Sequence, residues 1–186
     1  MNIILFGPPG AGKGTQADRI INHYSLAHLS TGNMFRSAIQ NKTPLGVKVS
    51  SILASGELVS DDIVVALVKE ETEKDIYTNG CVFDGFPRTV AQSAAFDAML
   101  SERGQKVDLL LSLTVDNHEL INRILSRGPG RSEDTEEGIK HRLEVYNNET
   151  KPVLDYYQEK GIVVEINGTG SVDDVFNRIK DSISAI

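Results

Sequence analysis

Short unbroken apolar runs alternate along this chain with longer stretches in which apolar residues recur every three or four positions. The runs Ile3–Phe6, Ala27–Leu29, Cys81–Asp84, Leu109–Val115 and Ile162–Ile166 predict five strands. Their near-continuous apolarity is that of strands covered on both faces, as in a parallel sheet. The intervening stretches predict helices. One begins at Thr31, with Met34, Phe35, Ala38 and Ile39 on its inner face. Another has Thr43 as N-cap and Pro44 at its first helical position. A third follows Ser60 and Asp61, with Ile63, Val64, Leu67 and Val68 as its buried stripe. This alternation predicts an α/β fold, a doubly wound five-stranded parallel sheet. From Ser30 to Asn79 the chain carries three helices where one crossover suffices, so an inserted unit is expected there. A later helix, beginning near Asp116, stops at Gly128-Pro129-Gly130. The next is expected from Ser132, with Glu133 and Asp134 behind the cap, and should reach Tyr157 with a kink at Pro152. The Gly-Pro-Gly break reads as the hinge of a short flap.

Composition sets outer bounds. At 186 residues the chain fits one domain with a substantial core. A net charge of −7 argues against general nucleic-acid or anionic-membrane binding, so any phosphate site must concentrate its positive charge locally. The single cysteine, Cys81, excludes an intramolecular disulfide and a multi-cysteine zinc site. Set in an apolar run, it reads as a small buried hydrophobe. The first residues enter a strand with no signal-peptide pattern, and no apolar run is long enough to span a membrane, so a cytoplasmic location is expected.

Chemistry enters at Gly7-Pro-Pro-Gly-Ala-Gly-Lys-Gly-Thr15. Gly7, Gly10, Gly12 and Gly14 permit tight bends that aim successive N–H groups into one concavity. Lys13 adds positive charge, and the amphipathic stretch Ala17, Ile20, Ile21, Tyr24 predicts a helix whose N-terminus faces the same anion. The general phosphate-loop pattern G-x-x-x-x-G-K-[ST] has a hydroxyl residue after the lysine; here Gly14 stands there and Thr15 follows. In the segment Cys81-Val-Phe-Asp84-Gly-Phe-Pro-Arg88 a strand ends in a carboxylate, turns at Gly85 and delivers Arg88 to the next helix. Ligands of open parallel sheets sit beyond the carboxyl ends of strands, so Asp84 is a candidate water-mediated ligand of Mg²⁺. Arg123 and Arg127 share a helix face, Arg131 follows the hinge, and Lys140 and Arg142 lie on the next helix. With Arg36 and Arg88 these guanidinium forks suit phosphate oxygens, and a flap carrying some of them would close over a transferring group. No nucleophilic triad is apparent, and His23, His28, His118 and His141 share no ligand spacing. Direct phosphoryl transfer needs neither.

On these residues the whole chain resembles the adenylate kinases. The glycine loop through Thr15, Leu29-Ser-Thr-Gly-Asn-Met-Phe-Arg36, Asp84-Gly-Phe-Pro-Arg88 with Gln92, and the set Arg123, Arg127, Arg131, Arg142 all match the family's motifs, in which a glycine after the lysine is normal. The resemblance implies phosphoryl transfer from ATP to AMP, giving two ADP, on a P-loop fold. Gly10, Ala11, Gly12, Lys13, Gly14 and Thr15 would wrap the ATP β-phosphate, with Lys13 following the group in flight. Arg123 and Arg127 would contact ATP phosphates, and Gly170 would border the ATP adenine. Thr31, Arg36, the backbone of Glu57, Leu58 and Val59, then Gly85, Phe86, Pro87, Arg88 and Gln92 would hold AMP, with Thr31 and Gln92 near its base. Arg131 and Arg142 would act near the AMP phosphate and the transferred group, so that Lys13, Arg88, Arg123, Arg131 and Arg142 form the catalytic set. The implied division is a core of residues 1–29, 60–125 and 133–186, an AMP-binding arm of 30–59 and a lid of 126–132. Implied too are Mg²⁺ with ATP, no zinc, and a monomer without nucleic-acid or membrane partners. Asn33 stands where the family usually has Asp, which removes one carboxylate from magnesium organisation and shifts weight to Asp84. A UMP/CMP kinase on the same scaffold is the nearest alternative. A nucleotide-binding regulatory module without transfer activity belongs to another class, and the complete set Thr31, Arg36, Arg88 and Gln92 argues against it; a structural relic, a third class, would be expected to have lost some cleft arginines, and none is missing.

Overall fold

The computed structural model describes residues 1–126 and 135–185. Strands β1 (Asn2–Phe6), β2 (Ala27–Ser30), β3 (Cys81–Asp84), β4 (Leu109–Thr114) and β5 (Val163–Asn167) pair in parallel in the order β2-β3-β1-β4-β5. All five runs read from the sequence are strands, none displaced by more than one residue at either end. Successive side chains of β1 point to opposite faces of the sheet. Ile4 and Phe6 join one buried cluster with Phe83, Phe96 and Leu110. Ile3 and Leu5 join the other with Ala17, Ile20, Val82, Leu111 and Ile179. Burial on both sides is why the run has no polar alternation.

Helix α1 (Lys13–Tyr24) packs in the second cluster; α2 (Thr31–Gln40), α3 (Pro44–Ala54) and α4 (Asp61–Glu71) fill the crossover from β2 to β3 and pack in the first. The corner between α2 and α3 follows its local chemistry. Thr43 is the N-cap, its hydroxyl accepting from Gly46 N at 3.1 Å, and Pro44 takes the first helical position. Both Thr43 N and Thr43 Oγ1 donate to Ala38 O, at 3.0 and 3.3 Å. Gly46 completes the corner: a Cβ there would lie 2.0 Å from Ala38 O and 2.6 Å from Ile39 N, so the two helices meet backbone to backbone.

Helix α5 (Val90–Glu102) follows β3, and α6 (Asn117–Leu125) follows β4 with Asp116 as its N-cap. The expected helix start at Ser132 and the Gly128-Pro129-Gly130 break lie outside the described residues. Helix α7 (Glu136–Val145) is instead capped by Thr135, whose hydroxyl accepts from Gly138 N at 3.1 Å, with Glu136 and Glu137 in the first turn. The long helix expected through Pro152 is three pieces: α7, a π-helical segment (Tyr146–Thr150) and α8 (Pro152–Gln158). Proline has no N–H and its ring crowds the carbonyl four residues back, so the turn before Pro152 widens and Lys151 N donates to Tyr146 O at 2.8 Å. Helix α9 (Val172–Ser184) closes the chain under a Ser171/Asp174 capping box.

Gly46→Ala is expected to destabilise the protein by about 1–3 kcal/mol in urea unfolding. Alanine's helix propensity favours it over glycine by about 1 kcal/mol. A Cβ placed 2.0 Å from a carbonyl oxygen outweighs that gain, and an unchanged midpoint would refute the close contact. Cys81 is buried as read, and burial pushes its thiol from 9.0 up to about 12. The native state therefore keeps a proton that the unfolded chain loses. Its contribution is full below pH 9 and is lost as the pH rises from 9 towards 12. Wild type should lose stability above pH 9 more steeply than Cys81→Ala, by on the order of 1 kcal/mol per pH unit. Parallel slopes would contradict it.

Candidate functional site

The sheet register brings two loops to one place. β1 pairs with β3 so that Leu5 stands opposite Asp84, and β3 pairs with β2 so that Asp84 stands opposite Ser30. The loop after β1, the start of α2 and the loop after β3 thus leave the carboxyl edge side by side. They line a cleft of about 410 Å³ with Arg142 and Tyr146. A cavity of about 430 Å³ at the opposite end of the sheet, near Asn2, Tyr77 and Cys81, contains Arg103, which donates to the carbonyl and hydroxyl of Thr72.

On the β1 side, Gly10 has φ +88°, and a Cβ there would sit 2.9 Å from Leu120 O and 3.0 Å from Ile124 Cγ1. Gly12, φ +90°, is the N-cap of α1 and brings no side chain to the helix end. The first-turn N–H groups of this 12-residue helix are therefore presented without a side-chain cap, an arrangement that attracts anions. Lys13 Nζ donates to Gly7 O at 2.6 Å and to Pro8 O at 3.0 Å. Gly14 differs from the expectation. It lies inside α1 with no positive φ, and nothing stands within 4 Å of a Cβ built on it, so the bend needs Gly7, Gly10 and Gly12 but not Gly14.

On the β3 side, Phe86 anchors the loop by edge contact with Phe96, ring centroids 5.1 Å apart, and Phe96 in turn meets Phe83 at 4.7 Å. The Phe86–Pro87 peptide is cis. Gly85 O accepts from Thr31 Oγ1 and from Arg88 Nε, each at 2.8 Å. Arg88 N donates to Gln92 Oε1 at 2.7 Å, and Gln92 Nε2 donates to Asp61 Oδ1 at 2.8 Å. A continuous polar chain therefore links α2, the β3 loop, α5 and α4. Thr31 and Gln92 are buried, at 2% and 1% exposure, and are bonded to the cleft-lining Gly85 and Arg88.

Four cations, Lys13, Arg36, Arg88 and Arg142, line the cleft, and Asp84 is the sole carboxylate among its described lining residues. In a chain of net charge −7 this is the local positive concentration that phosphate binding requires. Burial raises the phenol of the lining residue Tyr146 from 10.0 to about 12. Asp84 Oδ2 accepts from Ser30 Oγ at 3.4 Å, and exposed Asn33 accepts from Arg36 at 2.5 Å. No cluster of His, Cys, Asp or Glu among the described residues is disposed to hold a metal. One carboxylate beside a phosphate loop fits a magnesium ion that arrives hydrated on its nucleotide, not a protein cage.

Of the residues singled out in the sequence, Gly10, Gly12, Lys13, Gly14, Thr15, Arg36, Leu58, Asp84, Gly85, Phe86, Pro87, Arg88 and Arg142 line this cleft. Ala11 and Val59 are buried, and Glu57 reaches away to His141 Nε2 at 2.7 Å. Arg123 lies outside the lining, donating to Glu119 at 2.9 Å and to Gly168 O at 3.1 Å, which ties α6 to the loop carrying Gly170. Arg127 and Arg131 fall outside the described residues. Sequence reasoning did not find Val145, Tyr146 and Thr150 in the cleft. The spacing of Arg142 and Tyr146 was the signal for Tyr146, since residues four apart share an α-helix face; Val145 and the π-helical Thr150 had none.

A family profile described as Adenylate kinase matches residues 5–162. The chain belongs to the adenylate kinase family. It is 49% identical over 177 residues to an adenylate kinase of Phenylobacterium zucineum, covering 94% of this chain and 93% of that one. It is 47% identical to one from Caulobacter sp. (strain K31), over the full length of both. With the adenylate kinase of Bacillus subtilis it shares 38% identity, covering 100% of this chain and 99% of the relative. That last alignment runs over 215 positions against 186 residues here, so the relative carries segments this chain lacks. Members are nucleoside monophosphate kinases, and this chain is accordingly a phosphotransferase. No helix among the described residues is long and apolar enough to cross a membrane.

Proposed function

We propose that the cleft holds ATP and AMP together and passes the γ-phosphoryl group directly between them, reversibly giving two ADP. The observation that carries this is the pairing of an uncapped, lysine-bearing helix N-terminus with Arg36 and Arg88 across one cleft. A triphosphate loop alone needs no second set of phosphate binders.

On the ATP side, the backbone of residues 10–15 wraps the β-phosphate, while Lys13 exchanges its bonds to Gly7 O and Pro8 O for the phosphoryl oxygens as charge develops there. Arg123 and Arg127 steady the ATP phosphates and Gly170 borders the adenine. On the AMP side, Arg36 and Arg88 take the phosphate, Thr31 and Gln92 stand towards the base, and the backbone of residues 57–59 and 85–87 closes around the nucleotide. Arg131 and Arg142 span the two phosphates. Asp84 would hold through water the magnesium ion of MgATP, which would supply neutralisation of the phosphate charge. Residues 30–59 form the AMP-binding arm, 126–132 the lid, and 1–29, 60–125 and 133–186 the core. The single cysteine of the chain, Cys81, leaves this reading without a multi-cysteine zinc site for the lid. A cytoplasmic monomer with neither nucleic-acid nor membrane partners accompanies this reading, in keeping with the net charge of −7.

With Mg²⁺ and ATP, purified protein should yield two ADP per turnover from AMP and, more slowly, one ADP together with the acceptor's own diphosphate from CMP, UMP or GMP. A coupled assay of the four acceptors tests this; no ADP with any of them would sink the kinase reading. Arg88→Ala should lower turnover about 10²-fold or more, because it removes a preorganised contact to the acceptor phosphate. A near-normal rate would place Arg88 away from the phosphates.

A further inference from the structure

We infer that Asp61 is a positioning residue for base specificity: together with the Arg88 backbone N–H it fixes which way round the Gln92 amide stands. This rests on the proposal that Gln92 faces the base of the monophosphate substrate. The side chain of glutamine is close to symmetric in shape but opposite in hydrogen-bonding sense at its two ends, and a free amide flips to suit either kind of neighbour. Here both neighbours have only one sense. The Arg88 backbone N–H can only donate, so Gln92 Oε1 meets it at 2.7 Å. The Asp61 carboxylate can only accept, so Gln92 Nε2 meets it at 2.8 Å. Thr89, the N-cap of α5, closes the ring: its hydroxyl donates to the same Asp61 oxygen at 3.0 Å and accepts from Gln92 N at 3.1 Å. The orientation thus follows from the chemistry of the partners.

The consequence concerns the capacity left over. After these bonds the amide keeps one lone pair on Oε1 and one hydrogen on Nε2, in fixed order. A 6-aminopurine offers an exocyclic donor beside a ring acceptor. A 6-oxopurine offers the reverse, an exocyclic acceptor beside a ring donor. An amide free to flip serves both bases equally well; a locked one serves one and sets donor against donor with the other. Unmatched polar groups in a buried site discriminate strongly. Burial of Gln92 at 1% exposure removes the solvent that would otherwise soften the mismatch. Asp61 touches no nucleotide in this scheme, and its effect passes entirely through Gln92.

AMP and IMP differ at this edge and share their ribose phosphate, so their kcat/KM ratio reads the lock. The ratio is measured on the full chain for wild type, Asp61→Ala, Asp61→Asn, Gln92→Ala and Asp62→Asn, with a melting curve for each. Asp61→Ala should lower the AMP:IMP ratio about tenfold, through the KM of the monophosphate and not of ATP. Asp61→Asn, of the same shape but able to donate or accept, should lower it by a smaller factor. Asp62→Asn removes the same charge from the same helix end and should leave the ratio unchanged. If both Asp61 variants slow AMP and IMP by equal factors, or Asp62→Asn shifts the ratio as much, Asp61 is merely structural and the lock is wrong. If Gln92→Ala collapses the ratio while the Asp61 variants keep it, the base site stands and only the lock fails. A ratio untouched by Gln92→Ala overturns the base-site reading itself.

Discussion

The hydrogen-bond ladder that sets Leu5 beside Asp84 and Asp84 beside Ser30 fixes the level at which three segments leave the sheet. Side chains alternate faces along a strand, so a slip of one residue in either pairing would turn Asp84 into the core and lift an apolar neighbour into the cleft. What prevents the slip is burial on both faces: Ile3, Leu5 and Val82 fill one cluster, Ile4, Phe6 and Phe83 the other. The glycine loop, the head of α2 and the Phe86 loop are therefore placed by packing that lies beneath the cleft. Their chemistry is local, but their juxtaposition is a property of the sheet.

That division explains what could be read from the chain. Strand runs carry their signal in every residue, and the Thr43-Pro44 start of α3 is written in two adjacent residues. The start of α7 was harder, because Ser132-Glu133-Asp134 and Thr135-Glu136-Glu137 are both good capping sequences and local chemistry does not choose between them. The π-helical segment had only Pro152 as a sign, and a proline can be accommodated by a kink, a break or a wide turn. Four glycines looked alike in the first loop, yet Gly14 adopts ordinary helical geometry.

The site was legible to the same depth. Residue types that bind phosphate were visible, and so was their position at strand ends. Which of them share a cleft was not, since that depends on distant segments: Arg142 comes to it from α7, whereas Arg123 turns to Glu119 and Gly168. Asp61 showed only as an acid near a helix start, a sufficient local explanation that concealed its bond to Gln92 on another helix. Polar roles that arise from tertiary pairing leave no local trace.

The backbone contact at Gly46 has a mechanical side. Two helices joined by ordinary side chains can slide or roll on one another, since side chains rearrange. Where one helix backbone rests on another there is little to rearrange, and Ala38 O is further gripped by two bonds from Thr43. Helices α2 and α3 thus form a stiff bracket with no joint at its elbow. Thr31, at the root of α2, is bonded to Gly85 O in the loop after β3, and Asp61, which opens α4 beyond the bracket, is bonded to Gln92 of α5. A push carried through the elbow to Thr31 therefore meets Gly85 O, the same carbonyl that holds Arg88 Nε.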